Sequence, residues 1–320
     1  MERRFTGESL SGIYKTLATW SASAAPGMVT AFEVLDPDHA AGYYAGTPLV
    51  MDGITYRARG YRSWNDLARL LSCRMLTPRS ATPPCVTLRF QKLERSQSFH
   101  TAETADRSEK YGTASLFASI DKNEEPAFYA AYTAALKAVG IEKRRRILDL
   151  GVNSGDEFET IRSLMGPEAF MAAELVGIDH CASALEAARV RFPSSNVTFY
   201  AHDINRIDAL ELAPFDLLVS IGTLQSPGID FKPLFMYLVQ HCLIRHEAAL
   251  ILGFPNCRWM DGEMLYGAKA PNYSYPELSL LIKDIHYCKK YLQQKGFRVT
   301  VTGKEYLFLT ATPIRKNATP

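Results

Sequence analysis

Three aspartates in this 320-residue chain fall where short apolar runs stop: Asp149 closes the run at 147–150, Asp179 closes Leu175-Val-Gly-Ile178, and Asp203 follows Val197-Thr-Phe-Tyr-Ala-His202. Two residues after the first comes Gly151-Val-Asn-Ser-Gly155, two glycines four residues apart. A carboxylate at such a position accepts hydrogen bonds from the hydroxyls or amines of a bound molecule. Glycines beside it let the backbone approach that molecule, because they lack a β-carbon and tolerate positive φ. The chemistry implied is recognition of a nucleoside: Asp179 accepts both hydroxyls of a ribose, and Asp203 accepts from an exocyclic amine of a base. His180 and Ile204 then flank the ring.

Such a site needs strands whose carboxyl ends share one rim, and the pattern beyond residue 145 supplies them. Strand-like runs at 147–150, 175–178, 197–200, 215–220 and 248–253 alternate with helical stretches after Gly155, at 182–191 and at 231–243. Alternation of this kind signals a parallel sheet covered by helices on both faces, with ligands outside the carboxyl ends where strand order reverses. Ser274-Tyr-Pro-Glu277 reads as a capping box opening a helix through Leu278, Leu281, Ile282, Ile285 and Leu292 to a stop at Gly296. After it, 297–302 and 305–310, joined at Gly303-Lys304, pair as an antiparallel hairpin. The expected fold is therefore α/β, a doubly wound, mostly parallel seven-stranded sheet with a terminal antiparallel hairpin, over residues 146–312.

Residues 1–100 read differently, as a small α+β domain for substrate or partner binding. Asp52-Gly53 between apolar runs marks a tight hairpin, Ser63-Trp-Asn-Asp66 a capping box opening a helix through Leu67, Leu70 and Leu71, and Cys85–Phe90 an alternating strand after Thr77-Pro-Arg and Pro83-Pro84. Residues 101–145 are expected to hold a linker, most polar from Ser96 to Ser108, and lid helices. Phe128, Tyr132, Leu136 and Val139 form one helical face there, stopped by Gly140.

An apolar fraction of 47% with 22% charged residues suits a chain that buries a large core, and a net charge of +2 gives no global reason for a nucleic-acid or membrane partner. Six scattered cysteines show neither a close pair nor zinc-ligand spacing, so no metal is expected and a reducing cytoplasm fits best. No cleavable leader and no run of about 20 apolar residues appears, which predicts no membrane span.

Taken together, residues 145–310 resemble a class I S-adenosylmethionine-dependent methyltransferase. The stretch Asp149-Leu-Gly151 to Gly155 is similar to the family's first motif, whose loop holds the methionine part of the cofactor. Ile178-Asp179 resembles the ribose-binding motif, His202-Asp203-Ile204 the adenine-binding motif, and Phe215–Ser220 the fourth strand. The closing hairpin resembles the family's reversed seventh strand. Where the family usually reads Asp-x-Gly-x-Gly-x-Gly, Asn153 replaces the middle glycine, and asparagine tolerates left-handed backbone better than most residues. The resemblance implies S-adenosyl-L-methionine as cofactor, held by Asp149, Gly151, Asn153, Gly155, Asp179, His180, Asp203, Ile204 and Ser220. It also implies an upstream segment folded over the cofactor, which places Tyr111 beside it.

Rival cofactors lack their spacings. No Gly-x-Gly-x-x-Gly for a dinucleotide, no Gly-Lys-Ser/Thr and no Gly-x-Ser-x-Gly elbow is present. Methyl transfer from a sulfonium asks mainly for proximity and alignment, with a base only where the acceptor must lose a proton. No catalytic residue stands out, and His241, His246 and His286 all read as helical or helix-end residues. The exit of the fourth strand lacks the Asn/Asp-Pro-Pro-aromatic signature of nucleic-acid base amino-methyltransferases. The long loop after the fifth strand, with Asn256, Arg258, Trp259, Tyr266 and Tyr273, is expected either to border the acceptor pocket or to pack. A small organic acceptor is the first expectation. Arg57, Arg59, Arg62, Arg69, Arg74 and Arg79, interleaved with Tyr56, Tyr61 and Trp64, keep RNA open as the alternative, and a cofactor-binding scaffold without activity is the other. Oligomeric state has no signal in the sequence.

Overall fold

The computed structural model describes residues 3–94, 111–268 and 277–314, so the linker at 96–108, Ser274 and Tyr273 lie outside the described residues. Two compact units divide the chain. The first comprises residues 1–98 with 259–265, and the second comprises 99–258 with 266–320.

In the first unit, β1 (Arg3–Arg4), α1 (Leu10–Ser23), β2 (Val29–Leu35), β3 (Pro48–Met51), β4 (Ile54–Arg57), α2 (Tyr61–Leu70), β5 (Cys73–Ser80) and β6 (Cys85–Lys92) follow in order. Four strands form one sheet in the order β1-β2-β6-β5. Its core is built by Ile13, Leu17, Phe32, Trp64, Leu67, Leu88 and Phe90, with the rings of Phe32 and Phe90 edge to face at 5.1 Å. The β3/β4 hairpin turns at Asp52 and Gly53, both with positive φ (50° and 77°), the conformation that favours this dipeptide. Helix α2 corrects the sequence reading: it starts two residues before Ser63, behind an extended Gly60 without a side-chain cap. Thr77-Pro78 lies inside a strand. Strand β5 runs through it with a register shift between Leu76 and Arg79, and β5 is an edge strand, where proline is tolerated.

In the second unit, α3 (Pro126–Ala138) leads to β7 (Arg146–Leu150), then α4 (Asp156–Met165), α5 (Pro167–Met171), β8 (Glu174–Asp179), α6 (Ala182–Arg191), β9 (Val197–Ala201), β10 (Leu217–Ile221), α7 (Phe231–His241) and β11 (Ala249–Pro255); β12 (Cys257–Met260) and β13 (Glu263–Tyr266) follow, with residues 259–265 of them grouped with the first unit, and α8 (Ser279–Gln294), β14 (Phe297–Gly303) and β15 (Tyr306–Pro313) complete the second. Seven strands form a sheet in the order β14-β15-β11-β10-β7-β8-β9. All pairs from β11 to β9 are parallel, and β15 runs antiparallel to both β11 and β14. The strands are near-continuous apolar runs because both sheet faces are covered: Ile147, Leu148, Leu150, Leu217, Leu218, Val219, Leu250 and Ile251 are fully buried. The helix predicted at 128–139 buries all four residues of its apolar face, Phe128, Tyr132, Leu136 and Val139, and Gly140 stops it in the left-handed conformation (φ 67°).

Strand order decides where a ligand fits. From β7 the chain moves outward through β8 and β9, then returns across β7 to β10. The order therefore reverses between β7 and β10, and the loops leaving those two strands border the crevice at the carboxyl edge. Among the described residues no helix is long and apolar enough to cross a membrane.

Candidate functional site

The glycine turn after β7 is shaped by that crevice. Gly151 has φ 78° and donates its N–H to the Ile178 carbonyl at 2.8 Å. A β-carbon there would lie 1.9 Å from Thr223 Oγ1, on the loop leaving β10. Gly155 has φ 89°, and a β-carbon would come within 2.7 Å of the Phe192 ring. Between them Asn153 takes φ 45°, so the left-handed turn is kept with asparagine in place of glycine.

Three adjacent parallel strands carry the three aspartates to one rim. Asp149 on β7 lies in register with Gly177 on β8, two residues before Asp179. Asp179 pairs with Ala201 on β9, two residues before Asp203. Their surroundings differ. Asp179 is buried and accepts backbone N–H groups from Asn153 (3.0 Å, Oδ2) and Cys181 (2.9 Å, Oδ1). A carboxylate has about four acceptor positions, so two remain for hydroxyls. Asp203 is exposed, and its Oδ1 accepts from the backbone N–H and side-chain amide of Asn205 at 2.9 and 3.0 Å, opening the short helical turn at 204–210.

Asp149 is the outlier. It is 1% exposed, and neither carboxylate oxygen has a hydrogen-bond partner. Burial pushes its carboxyl well above the ordinary range, the charges of Glu157 and Asp179 push the same way, and Lys122 opposes them. Lys122 and Glu157 form a buried ion pair at 2.7 Å. Burial alone would lower the Lys122 pKa, but the charges of Glu157, Tyr306 and Asp156 together with the Glu157 hydrogen bond outweigh it, and the ammonium is held. An acid buried without a donor fits a cationic partner supplied from outside the chain, since an unpaired buried charge is costly.

The other predicted site residues are placed as follows. His180 is half-exposed, with Nδ1 3.5 Å from Asp179 Oδ1. Ile204 is buried in the main core. Ser220 is 2% exposed, and its hydroxyl donates to the Leu150 carbonyl at 3.3 Å, so it braces β10 against β7. Thr223, not singled out from sequence, is the residue of this exit that meets the glycine turn. Tyr111 reaches the turn through its backbone: its carbonyl accepts from Asn153 Nδ2 at 3.0 Å, while its ring lies edge-on to Phe117.

After β11, the segment expected as a loop contains the β12/β13 hairpin, turning at Asp261 and Gly262 with φ 49° and 77°. Asn256 is 3% exposed and organises its base: its N–H donates to the Glu305 carbonyl, its side-chain amide to the Lys304 carbonyl, and its own carbonyl accepts from Gly267. Arg258 donates to the carbonyls of Tyr266 and Gly267. Trp259 falls in the segment grouped with the first unit. His241 ends α7 and His246 lies in the loop entering β11. Helices between parallel strands run back, so both histidines sit at the amino edge of the sheet, opposite the crevice.

Residues 141–250 match the family model described as a methyltransferase domain. No curated protein matches the chain. Among solved structures, the chain is similar to an S-adenosylmethionine-dependent methyltransferase from Aquifex aeolicus at 16% identity and TM-score 0.41, covering 62% of this chain and 98% of that one. It is also similar to Aeropyrum pernix fibrillarin with natively bound S-adenosyl-L-methionine, at 14% identity and TM-score 0.38, covering 57% and 76%. A third is magnesium protoporphyrin IX methyltransferase from Synechocystis PCC 6803 with the same cofactor bound, at 17% identity and TM-score 0.37, covering 57% and 77%. The family match together with the strand order defines the second unit as a class I methyltransferase fold. The second unit therefore carries a methyltransferase domain, matched over residues 141–250.

Proposed function

We propose that this enzyme methylates a small organic acceptor and holds S-adenosylmethionine through Asp149, Gly151, Asn153, Gly155, Asp179, His180, Asp203 and Ile204, with the Tyr111 backbone closing the turn. The observation that carries the cofactor assignment is the unpartnered, buried carboxylate of Asp149 beside a glycine turn that admits no β-carbon. In this reading Asp149 faces the ammonium of the methionine part, Asp179 accepts from the ribose hydroxyls, and the second oxygen of Asp203 accepts from the adenine amine. When bound, the sulfonium provides a methyl carbon already activated for in-line displacement, with a neutral leaving group. The chain's own work is alignment: the left-handed turn fixes one end of the cofactor, the β8 rim the other, and the Thr223 and Asn256 exits border the acceptor side.

Support for a small acceptor comes from the first unit, where most of the expected arginine and aromatic surface is otherwise engaged. Tyr56 and Trp64 are core residues. Arg57 donates to the carbonyls of Gly7 and Gly46, Arg59 to Glu8, and Arg69 to Met264. Arg74 pairs with Asp261 and Glu263. Calorimetric titration of the whole protein with S-adenosylmethionine and with its demethylated product tests the cofactor half. Saturable binding of both is expected, and failure of both to bind removes the assignment.

A further inference from the structure

Asn153 sits where the family's turn has a glycine, and its side chain is fully engaged. Its Oδ1 accepts from the Ser154 N–H at 2.9 Å, and its Nδ2 donates to the Tyr111 carbonyl at 3.0 Å. That orientation is fixed by the network, since flipping the amide would set oxygen against the Tyr111 carbonyl and NH2 against an N–H. Its backbone N–H meanwhile donates to Asp179 Oδ2. One residue therefore ties the upstream segment to the carboxylate at the end of β8.

The same segment is fastened at three further points. The Thr113 N–H donates to Ser183 Oγ, in the first turn of α6, at 3.1 Å. The Asn123 amide donates to the Asp156 carbonyl and accepts from the Thr160 hydroxyl, both on α4, each at 2.9 Å. Lys122 pairs with Glu157, also on α4. Residues 111–124 thus run across the amino-terminal ends of the helices that follow β7 and β8, where the carboxyl-edge crevice opens. The contact nearest the crevice is the one made by Asn153.

We infer that Asn153 is a positioning residue: its side chain latches residues 111–119 onto the glycine turn and so slows escape of the cofactor. A glycine here would suit the left-handed backbone at least as well but could not reach the Tyr111 carbonyl. The latch thus predicts the opposite of a consensus argument. Restoring the family glycine weakens cofactor retention instead of improving it. This inference rests on the cofactor reading given above.

The test compares the full-length wild type with Asn153→Gly, Asn153→Asp and Ser183→Ala. Hydrogen exchange without ligand reports the latch directly: faster exchange at the amides of Ala118 and Ile120 is expected in Asn153→Gly, with unchanged protection in β7 and β8. With S-adenosylmethionine, Kd and the dissociation rate are expected to rise roughly three- to tenfold, the worth of one net hydrogen bond, while Tm stays within about 2 °C or rises, since a kcal/mol moves it by only 2–4 °C at this size. Asn153→Asp keeps the shape but turns an acceptor toward the Tyr111 carbonyl, and should weaken binding at least as much. Ser183→Ala removes the second anchor without touching the turn, and should give a smaller rise in the same direction. If Asn153→Gly binds equally or more tightly and exchanges like wild type, the latch is wrong. If wild type itself binds neither the cofactor nor its product, the cofactor reading fails instead, and the exchange result still judges whether the segment is fastened.

Discussion

Arginines in the first unit and carboxylates in the second were both legible as candidate binding groups, yet they end in opposite states. Arg57, Arg59, Arg69 and Arg74 are committed to carbonyls and carboxylates of their own unit. Asp149 is committed to nothing, and Asp179 keeps acceptor capacity after two backbone bonds. Charge in a sequence marks a need for a partner, not its source. Position decides the source. A side chain at the carboxyl end of a parallel strand has no following strand residue beside it, whereas arginines on hairpins and a helix in a small sheet domain find nearby carbonyls.

The sharpest test of this contrast uses a pair in the second unit that is buried and internally satisfied. Lys122 and Glu157 are both buried and 2.7 Å apart. Glu157→Leu leaves the ammonium without its counter-charge and should destabilise the protein by about 3–5 kcal/mol, seen as a large fall in Tm. The double variant Lys122→Met with Glu157→Leu should recover most of that loss, because a buried pair is often replaceable by apolar groups. Equal damage in single and double variants would mean that packing, not pairing, holds this region.

Next in size is Asp179→Ala. On the proposed reading it removes two charge-assisted hydrogen bonds to the ribose, each worth about 1.5 kcal/mol or more, so affinity for S-adenosylmethionine should fall by at least about a hundredfold. The variant should remain folded, with a modest Tm loss from the freed N–H groups of Asn153 and Cys181. Unchanged affinity would put the ribose elsewhere.

How much of this was readable without coordinates follows the same logic. The alternation of strands and helices, the turn glycines and the Asp52-Gly53 hairpin are local signals, and each formed where local chemistry asked for it. The β12/β13 hairpin escaped notice although Asp261-Gly262 is the same dipeptide in the same left-handed pair of conformations. Its flanking strands are as short as β3 and β4, but Arg258 and Glu263 interrupt them where Leu49-Val50-Met51 is a plain apolar run, so no strand pattern marks the turn. The start of α2 was misplaced because Ser63 looks like a cap, whereas the buried Trp64, Leu67 and Ala68 set the helix and leave Ser63 inside its first turn. Lys122 and Glu157 had no signal: an acid in the first turn of a helix is an ordinary dipole partner, and only packing shows that it is buried. Thr223 and the Asn153–Tyr111 bond depend on two loops meeting, which spacing along one chain does not encode.

A smaller effect separates Asp149 from the satisfied groups by pH. Its carboxyl is raised above the ordinary 3.8 in the folded state. Between that value and the folded one, the native protein binds more protons than the unfolded chain, so stability falls as pH rises, by up to about 1.4 kcal/mol per pH unit while the group titrates. In the ligand-free protein, the change in Tm between pH 5 and 8 should therefore be flatter for Asp149→Asn than for wild type. Binding of a cationic ligand at this carboxylate should release a proton, read as a dependence of calorimetric heat on buffer ionisation enthalpy. Identical pH profiles for the two proteins would mean that Asp149 is not the strained group.

The smallest expected effect is weak RNA association that Arg57→Ala leaves unchanged, and it bears on the other half of the contrast. If the arginines of the first unit were available, bulk single-stranded RNA would bind with a strong salt dependence. The slope of log K against log salt is about −0.7 per phosphate neutralised on a single strand. Of the six arginines, only the exposed Arg79 and Arg62, the latter loosely paired with Asp66 at 3.8 Å, are left to meet phosphates, which supports a slope no steeper than about −1.4. Weak association of that kind, unchanged in Arg57→Ala and lost in Arg62→Ala with Arg79→Ala, is the expected outcome. A slope near −3 or steeper that drops with Arg57→Ala would require about four phosphate contacts, and would mean that these side chains leave their carbonyls for RNA. The small-acceptor reading would then give way to a nucleic-acid one.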